Sequence, residues 1–583
     1  MRIVLMVMRV SKPQRALFCM VAATLLPLWS WAQTPADIGA AQRQAEILQR
    51  QEQERVLREQ EDTRRRNEPV DGLDTRLLQP KIDVPELGES CRSIRVINIS
   101  SAPNLSTSTR QKIIDEFAGH CLNVSDIERI LGEITKYYID RGFITTRAYL
   151  PQQDLSLGQL DILVIEGVIE KILINDGGAK SVSAGNVFPQ QEGSLLNLRD
   201  LEQGIDQINR LPSNNARLDI QPGDKAGGSR VVIHNQPMLP FRATVSTDNQ
   251  GSESTGAAQT ALSLGADNLL QFNESLSFTH RRSLPNTPER KYSGSDSLNF
   301  SIPFGYSLLS LGASRSVYFS PITLSSGLEL ITSGTFKSNN LRLDRVVYRD
   351  RSTRASVAAT VTAKDSKNYL NTLFLEVSSR KLTVLDLDAN LTAGLWGGVL
   401  SLEAGMARGL TALGAMRDAP DLPDSAPRAQ FSKLKAGFSY AKPFRVAGTD
   451  MTFTSQMTAQ KARHALYGSE QIAIGGLYSV RGHVKNNLSG DDGYYVRNEL
   501  SVRQPLALGK EIVSSRLYAG YDRGYVSGRA PGTPQGSLEG LVAGLSVNWH
   551  GASWEFFHTR PFRMKGAMAR ETGQTWFRLS YTF

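Results

Sequence analysis

Three features of this chain have residue types and spacings that could do chemistry: an arginine set among glycines, an aspartate on an alternating strand, and a pair of cysteines. In Gln471–Asn487, QIAIGGLYSVRGHVKNN, two adjacent glycines precede Val480-Arg481-Gly482-His483, so the backbone can fold back on both sides of one fixed cation. The aspartate lies in LYAGYDRGYV, where Leu517, Ala519 and Tyr521 share one face and Tyr518, Gly520, Asp522 and Gly524 the other. If the first face meets lipid, Asp522 points into an enclosed interior, where a charge is costly unless paired. Arg481 to Asp522 is then the economical pairing, a charge-assisted bond that holds a loop and makes or breaks no covalent bond. A solvated Gly-rich loop carrying an arginine fits the same spacing, and the choice between the two rests on the rest of the chain.

The cysteines point to a compartment. Arg9, Lys12 and Arg15 precede the apolar run Ala16–Trp31, and Ser30 and Ala32 are small residues at the two positions a signal peptidase reads. Residues 1–32 therefore read as an export signal cleaved after Ala32. Its removal takes Cys19 and leaves Cys91 and Cys121, an even pair that favours one disulfide in an oxidising place such as a bacterial periplasm. Two free thiols are the alternative. His120 adjoins Cys121, but the paired ligand spacing of a zinc site is absent, so no metal is expected.

Composition excludes more than it identifies. A charged fraction of 21% and a hydrophobic fraction of 40% would suit a soluble protein, yet a transmembrane barrel averages to the same mild balance because its strands alternate apolar and polar residues. The net charge of +9 is not gathered into a basic cluster interleaved with aromatics, so no nucleic-acid partner is expected. After the signal, no stretch reaches the ~18 apolar residues of a spanning helix. Neither a phosphate loop nor a catalytic triad is visible, and no enzyme activity or cofactor is expected.

The elements that must position the arginine follow in chain order. Residues 33–67, rich in Ala, Gln, Glu, Leu and Arg, predict a helix that is polar nearly all round; 68–88, with Pro69, Pro80 and Pro85, predict an extended linker. Residues 89–170 read as a βααββ module: SIRVINIS a strand, Ser106–Phe117 and Val124–Gly142 helices, then the strands TTRAYLP and QLDILVIEGVIEKILIN, giving two helices on a three-stranded sheet. A disulfide would tie its sheet edge to the inter-helix turn. Residues 171–237 repeat the order more weakly, with a helix at Leu198–Leu211 and the strand pair ARLDIQPG and SRVVIHNQ. From 238 to 583 the texture changes to segments of about ten residues that alternate apolar and polar, the signature of a transmembrane barrel. Leu541, Ala543, Leu545, Val547 and Trp549 share one face, as do Phe577, Leu579, Tyr581 and Phe583. A closed barrel has no exposed edge, which strands in lipid require, and a soluble sandwich of this length is unusual.

This order of parts resembles the outer-membrane transporters of two-partner secretion, the TpsB proteins, a group that includes the haemolysin activators and filamentous-haemagglutinin transporters. GHCLNVSDI followed by YYIDRGFITTRAYLPQQDLSLGQLDILVIEGVIEKI resembles their first polypeptide-transport-associated (POTRA) domain, INRLPSNNARLDIQPGDKAGGSRVVI their second, and FRATVSTDNQGSESTGAAQ the start of their barrel. The resemblance implies α+β periplasmic POTRA domains followed by an all-β barrel of sixteen antiparallel strands. It implies that a loop at about 464–493 folds into the lumen so that Arg481 faces Asp522, and that the 33–67 helix plugs the barrel at rest. It also implies that the terminal Phe583 is read by the outer-membrane assembly machinery. The implied partner is a large secreted exoprotein with an N-terminal secretion domain: an adhesin, a cytolysin or a contact-dependent inhibition toxin. Where the family usually has Tyr or Phe, this chain has His483, which puts the aromatic contact of the loop tip in question and introduces a group that can charge near pH ~6.5. A barrel-assembly factor shares the loop and barrel but normally carries more POTRA modules than the ~150 residues before the barrel can hold.

Overall fold

The computed structural model describes residues 90–583 apart from 286–290, 324–326, 485, 510, 531, 532, 534 and 566–569. The expected signal (1–32), plug helix (33–67) and linker (68–88) lie outside the described residues.

The first module contains β1 (Arg92–Ile94), β2 (Val96–Ser100), α1 (Thr107–Phe117), β3 (His120–Leu122), α2 (Val124–Asp140), β4 (Arg147–Tyr149) and β5 (Gln159–Ile165). Ser106 caps α1 by accepting from Thr109 N, and Asn123 with Asp126 forms a reciprocal capping box at the start of α2. Ile127, Ile130, Ile134 and Tyr138 recur at helical spacing on α2 and pack onto Ile97, Ile99, Leu160 and Ile162 of the sheet, whose order is β2-β5-β4. Tyr138 donates to Glu166 Oε1 at 2.7 Å, and burial followed by that carboxylate holds its phenol above the ordinary value, so it stays a donor.

Two expected strands are each two strands. SIRVINIS breaks at Arg95, because Arg95 N and Val96 N both donate to Gly158 O while β1 turns away to pair with β3. QLDILVIEGVIEKILIN breaks at Glu166-Gly167, ahead of the module boundary expected at residue 170. A Cβ on Gly167 would lie 1.9 Å from Thr145 Oγ1, so the chain can pass there only as glycine, and the residues after it join a different sheet. That second part, β6 (Val168–Asn175), opens the second module and is followed by α3 (Ala184–Val187), α4 (Leu198–Asn209), β7 (Ala216–Pro222) and β8 (Gly228–Asn235). The sheet order is β6-β8-β7, with β6 parallel and β7 antiparallel to β8. Leu198, Leu201 and Ile208 seal its core.

Cys91 and Cys121 are joined by a disulfide that links the residue just before β1 to β3, the strand between the two helices. Cys91→Ser is expected to destabilise the first module by about 2–4 kcal/mol, read as a lower melting midpoint under oxidising conditions. An unchanged midpoint would show that the β1–β3 ribbon holds without it.

From Phe241–Asp248 to Gln574–Thr582, sixteen long antiparallel strands close into a barrel, the last pairing with the first from Arg578↔Asp248 to Thr582↔Thr244. Leu264, Leu311, Leu341, Leu387, Leu500 and Leu517 stay exposed on the outward face, the apolar surface that lipid requires. Trp396, Trp549, Phe304, Tyr348 and Phe583 are also exposed and lie at or beside strand ends on one rim, as an interfacial aromatic belt would. Among the described residues no helix is long and apolar enough to cross a membrane; the crossing elements are strands.

The second module is docked on that same rim. Arg210, just after α4, donates to Ser301 Oγ at 2.7 Å and Asn273 O at 2.6 Å; Gln203 and Gln207 both donate to Gly305 O; Arg349 pairs with Asp206; and Tyr306 donates to Asp200. Burial lowers the Arg210 guanidinium to about 10, opposed by Asp267 and Glu274, so at neutral pH it stays charged and keeps both bonds.

Candidate functional site, a loop pinned inside the barrel

Between the strands Thr449–Ala462 and Asp492–Leu508 the chain leaves the rim opposite the modules and turns into the lumen. Ile472–Ile474 pairs antiparallel with Leu488–Gly490 as a small hairpin. Gly475 and Gly476, at φ +99° and +88°, bend its tip, where Ser479 Oγ donates to Gly475 O at 2.8 Å. Ile472, Ile474 and Val480 pack on the inward faces of Tyr495, Val526 and Leu538, and Leu477 and Val484 lie against a second apolar cluster of Tyr518, Val542, Phe557 and Trp576, so apolar contact seats the loop against the wall.

The arginine sits beyond this patch. Arg481 is 5% exposed and Asp522 0%. Asp522 accepts three bonds from Arg481: from Nε at 2.7 Å, from Nη2 at 2.8 Å and from the backbone N at 3.0 Å. The remaining guanidinium edge donates from Nη1 to Glu499 Oε2 at 2.9 Å, and Glu499 is in turn bonded by Arg516. The fork of Arg481 therefore bridges two adjacent strands, a geometry that suits guanidinium and that a point-charge ammonium could not reproduce.

The wall is cut to admit the loop. A Cβ on Gly520 would lie 2.9 Å from Arg481 Nη2, one on Gly524 2.7 Å from Ile474 Cγ2, and one on Gly540 only 1.7 Å from Arg481 O. Gly482, at φ +109°, lies so close to Arg560 that a Cβ would meet its carbonyl at 2.6 Å. His483 is buried and shares a 2.9 Å bond through Nε2 with Glu539 O. Because a carbonyl only accepts, Nε2 carries the proton, and His483 makes a directional bond that a phenyl ring could not make. Glu571, from the last loop, accepts from Val484 N at 2.9 Å and from Asn486 N, clamping the chain as it leaves the tip.

Val480, Arg481, Gly482, His483 and Asp522 thus converge in the lumen. Cys91 and Cys121 meet each other in the first module, far from that loop. Phe583 lies on the module-side rim, where its N donates to Ala243 O at 2.9 Å across the closing seam. Glu499, Arg516, Gly540 and Glu571 were not anticipated from the sequence. Gly520 and Gly524 carried a signal, standing two residues either side of Asp522 on the same face; Gly540 and the acids carried none.

A sixteen-stranded barrel whose lumen holds its own loop, with the second of two α/β modules fixed to one rim, is the architecture expected above of both an export pore and a barrel-assembly factor. Comparison with known proteins makes this specific. The family model for the haemolysin secretion/activation proteins ShlB/FhaC/HecB matches residues 227–547, a ShlB-type POTRA model matches 93–167, and a further POTRA model matches 168–222. The outer membrane transporter CdiB of Dickeya dadantii is 34% identical over 444 residues, covering 75% of this chain and 77% of its own. The hemolysin transporter protein ShlB of Serratia marcescens is 32% identical over 464 residues, covering 79% and 81%. The solved structure of CdiB from Escherichia coli superposes with a TM-score of 0.83 at 30% identity, covering 94% of this chain and 99% of that one.

The chain belongs to the ShlB/FhaC/HecB family of two-partner secretion transporters. It is an outer-membrane pore for exoprotein export, with its POTRA modules in the periplasm.

Proposed function

We propose that this pore exports one dedicated, unfolded exoprotein, a contact-dependent inhibition toxin, an adhesin or a cytolysin, and does so without nucleotide hydrolysis or catalysis of its own. The observation that carries the proposal is the lumen loop, held by bonds that can be released and remade. Each module ends its sheet in edge strands, β2 and β4 in the first and β6 and β7 in the second, where an extended segment can add by main-chain hydrogen bonds with little sequence demand. Folding of the exported chain outside makes the movement one-way. The partners assigned by this reading are an exoprotein with an N-terminal secretion domain, the assembly machinery that meets Phe583, and lipid.

The test compares wild type with a deletion of this gene by mass spectrometry of the surface and medium proteins and of the outer-membrane barrels. Loss of one very large secreted protein with other barrels unchanged is the expected result and names the cargo. A broad fall in many barrels would make this chain an assembly factor.

A further inference from the structure

The loop is charged at a second place, farther round the wall from Asp522. Glu470 lies in the short turn Gly468–Glu470, where the chain enters the lumen, and is 3% exposed. Its Oε1 lies 2.6 Å from Lys364 Nζ and its Oε2 3.2 Å from Lys433 Nζ; Lys433 also donates to Glu470 O at 2.7 Å. Gln460 Nε2 donates to that same carbonyl at 3.0 Å. Lys364 stands on the strand Thr353–Leu370 and Lys433 on Ser432–Val446, separated in wall order from Asp522 by the strands between them.

The two attachments mirror each other. At one, a loop cation is held by the wall carboxylates Asp522 and Glu499; at the other, a loop carboxylate is held by the wall ammoniums Lys364 and Lys433. Both attachments act on one segment, Glu470 where it enters the lumen and Arg481 beyond the Gly475-Gly476 bend, so each limits where the chain between them can lie. Among the described residues the two lysines anchor the loop only through Glu470, and neighbouring Lys435 is committed elsewhere, to Asp386 at 2.6 Å and Asp388 at 3.0 Å.

We propose that Glu470 with Lys364 and Lys433 is an electrostatic latch that positions the loop across the lumen, independently of the Arg481 socket, and that it opens when a polypeptide passes. The latch rests on the geometry alone; its opening during passage rests on the export reading, and the two are tested apart.

A cysteine reporter at Ala473→Cys, where the native residue is 2% exposed, is placed in the full-length chain in intact cells that make no exoprotein, and labelled with a membrane-impermeant maleimide. Glu470→Gln, and separately Lys364→Met with Lys433→Met, should raise the labelling rate at least about tenfold, the change that loss of about 1.4 kcal/mol of closure produces. Glu470→Asp should label more slowly than Glu470→Gln, and Lys435→Met should match the reporter alone. If Glu470→Gln and the double lysine variant both label at the reporter's rate, in barrels that remain heat-modifiable on gels, the latch is overturned. Should those variants fail to assemble, the charge-reversed set Glu470→Lys, Lys364→Glu and Lys433→Glu decides: slow labelling supports the latch and fast labelling sinks it. Adding the exoprotein then tests only the opening step. Faster labelling of the reporter supports opening; an unchanged rate while export proceeds rejects it and leaves the latch standing.

Discussion

Arg481→Ala should cut secretion of the exoprotein at least tenfold while the barrel still reaches the outer membrane. The substitution leaves the fully buried Asp522 without its two guanidinium donors, with only the backbone N–H of residue 481 remaining, and strips Glu499 of one of its two arginines. Removing one partner of a buried ion pair typically costs about 3–5 kcal/mol, because the other charge stays desolvated and alone. The barrel wall does not need the arginine, since its ladder of sixteen strands closes without the loop. The cost therefore falls on loop placement. Arg481→Lys should rescue little, because one ammonium cannot serve Asp522 through two nitrogens and Glu499 through a third. The measurement is exoprotein in the medium normalised to heat-modifiable barrel in the membrane. Normal secretion by Arg481→Ala would remove the loop from any account of transport.

Gly540→Ala should reproduce that loss without touching a charge. The added methyl would sit 1.7 Å from Arg481 O and 2.8 Å from its carbonyl carbon, and both are backbone atoms that cannot rotate away. Overpacking of a well-filled site costs about 1–3 kcal/mol and occasionally more. With the loop backbone as the obstacle, the upper end applies, about a hundredfold shift against the seated loop. Gly437→Ala is the control: its Cβ would find Glu403 Cβ at 3.5 Å, ordinary contact, on another part of the wall. The pair separates two explanations that Arg481→Ala confounds. If Gly540→Ala and Gly437→Ala secrete alike, the close fit between loop and wall is dispensable and only the ion pair counts.

Together these substitutions describe a loop held by three different kinds of contact. The apolar patch around Val480 supplies non-directional seating, the Arg481 fork fixes orientation, and the inward glycines set the distance of closest approach. Each can be weakened separately, so the proposed release of the loop during export can be tested contact by contact.

Much of this was legible in the residues. Alternation with a period of two assigns each strand residue to one face, so Leu517 outward and Asp522 inward followed once a barrel was inferred. Paired glycines near Arg481 marked a folded-back loop, and the helix expected from Val124 does begin there. Other features had no local signal. Nothing in VIEGVIE says that a chain of continuous β character changes sheets at Gly167, nor that Thr145 packs so closely there that only glycine fits. Glu499, Arg516, Glu470, Lys364 and Lys433 look in sequence like any inward-facing polar residues. Which inward residue meets which depends on strand register and on where the loop crosses the lumen, and both are set by contacts between residues far apart in the chain. Residue order alone was enough for the class of fold, the faces of its strands and the arginine that a glycine-rich loop presents. The partners that hold that loop emerged only in the folded chain, because period and composition constrain a residue's direction but not the non-local atom waiting there.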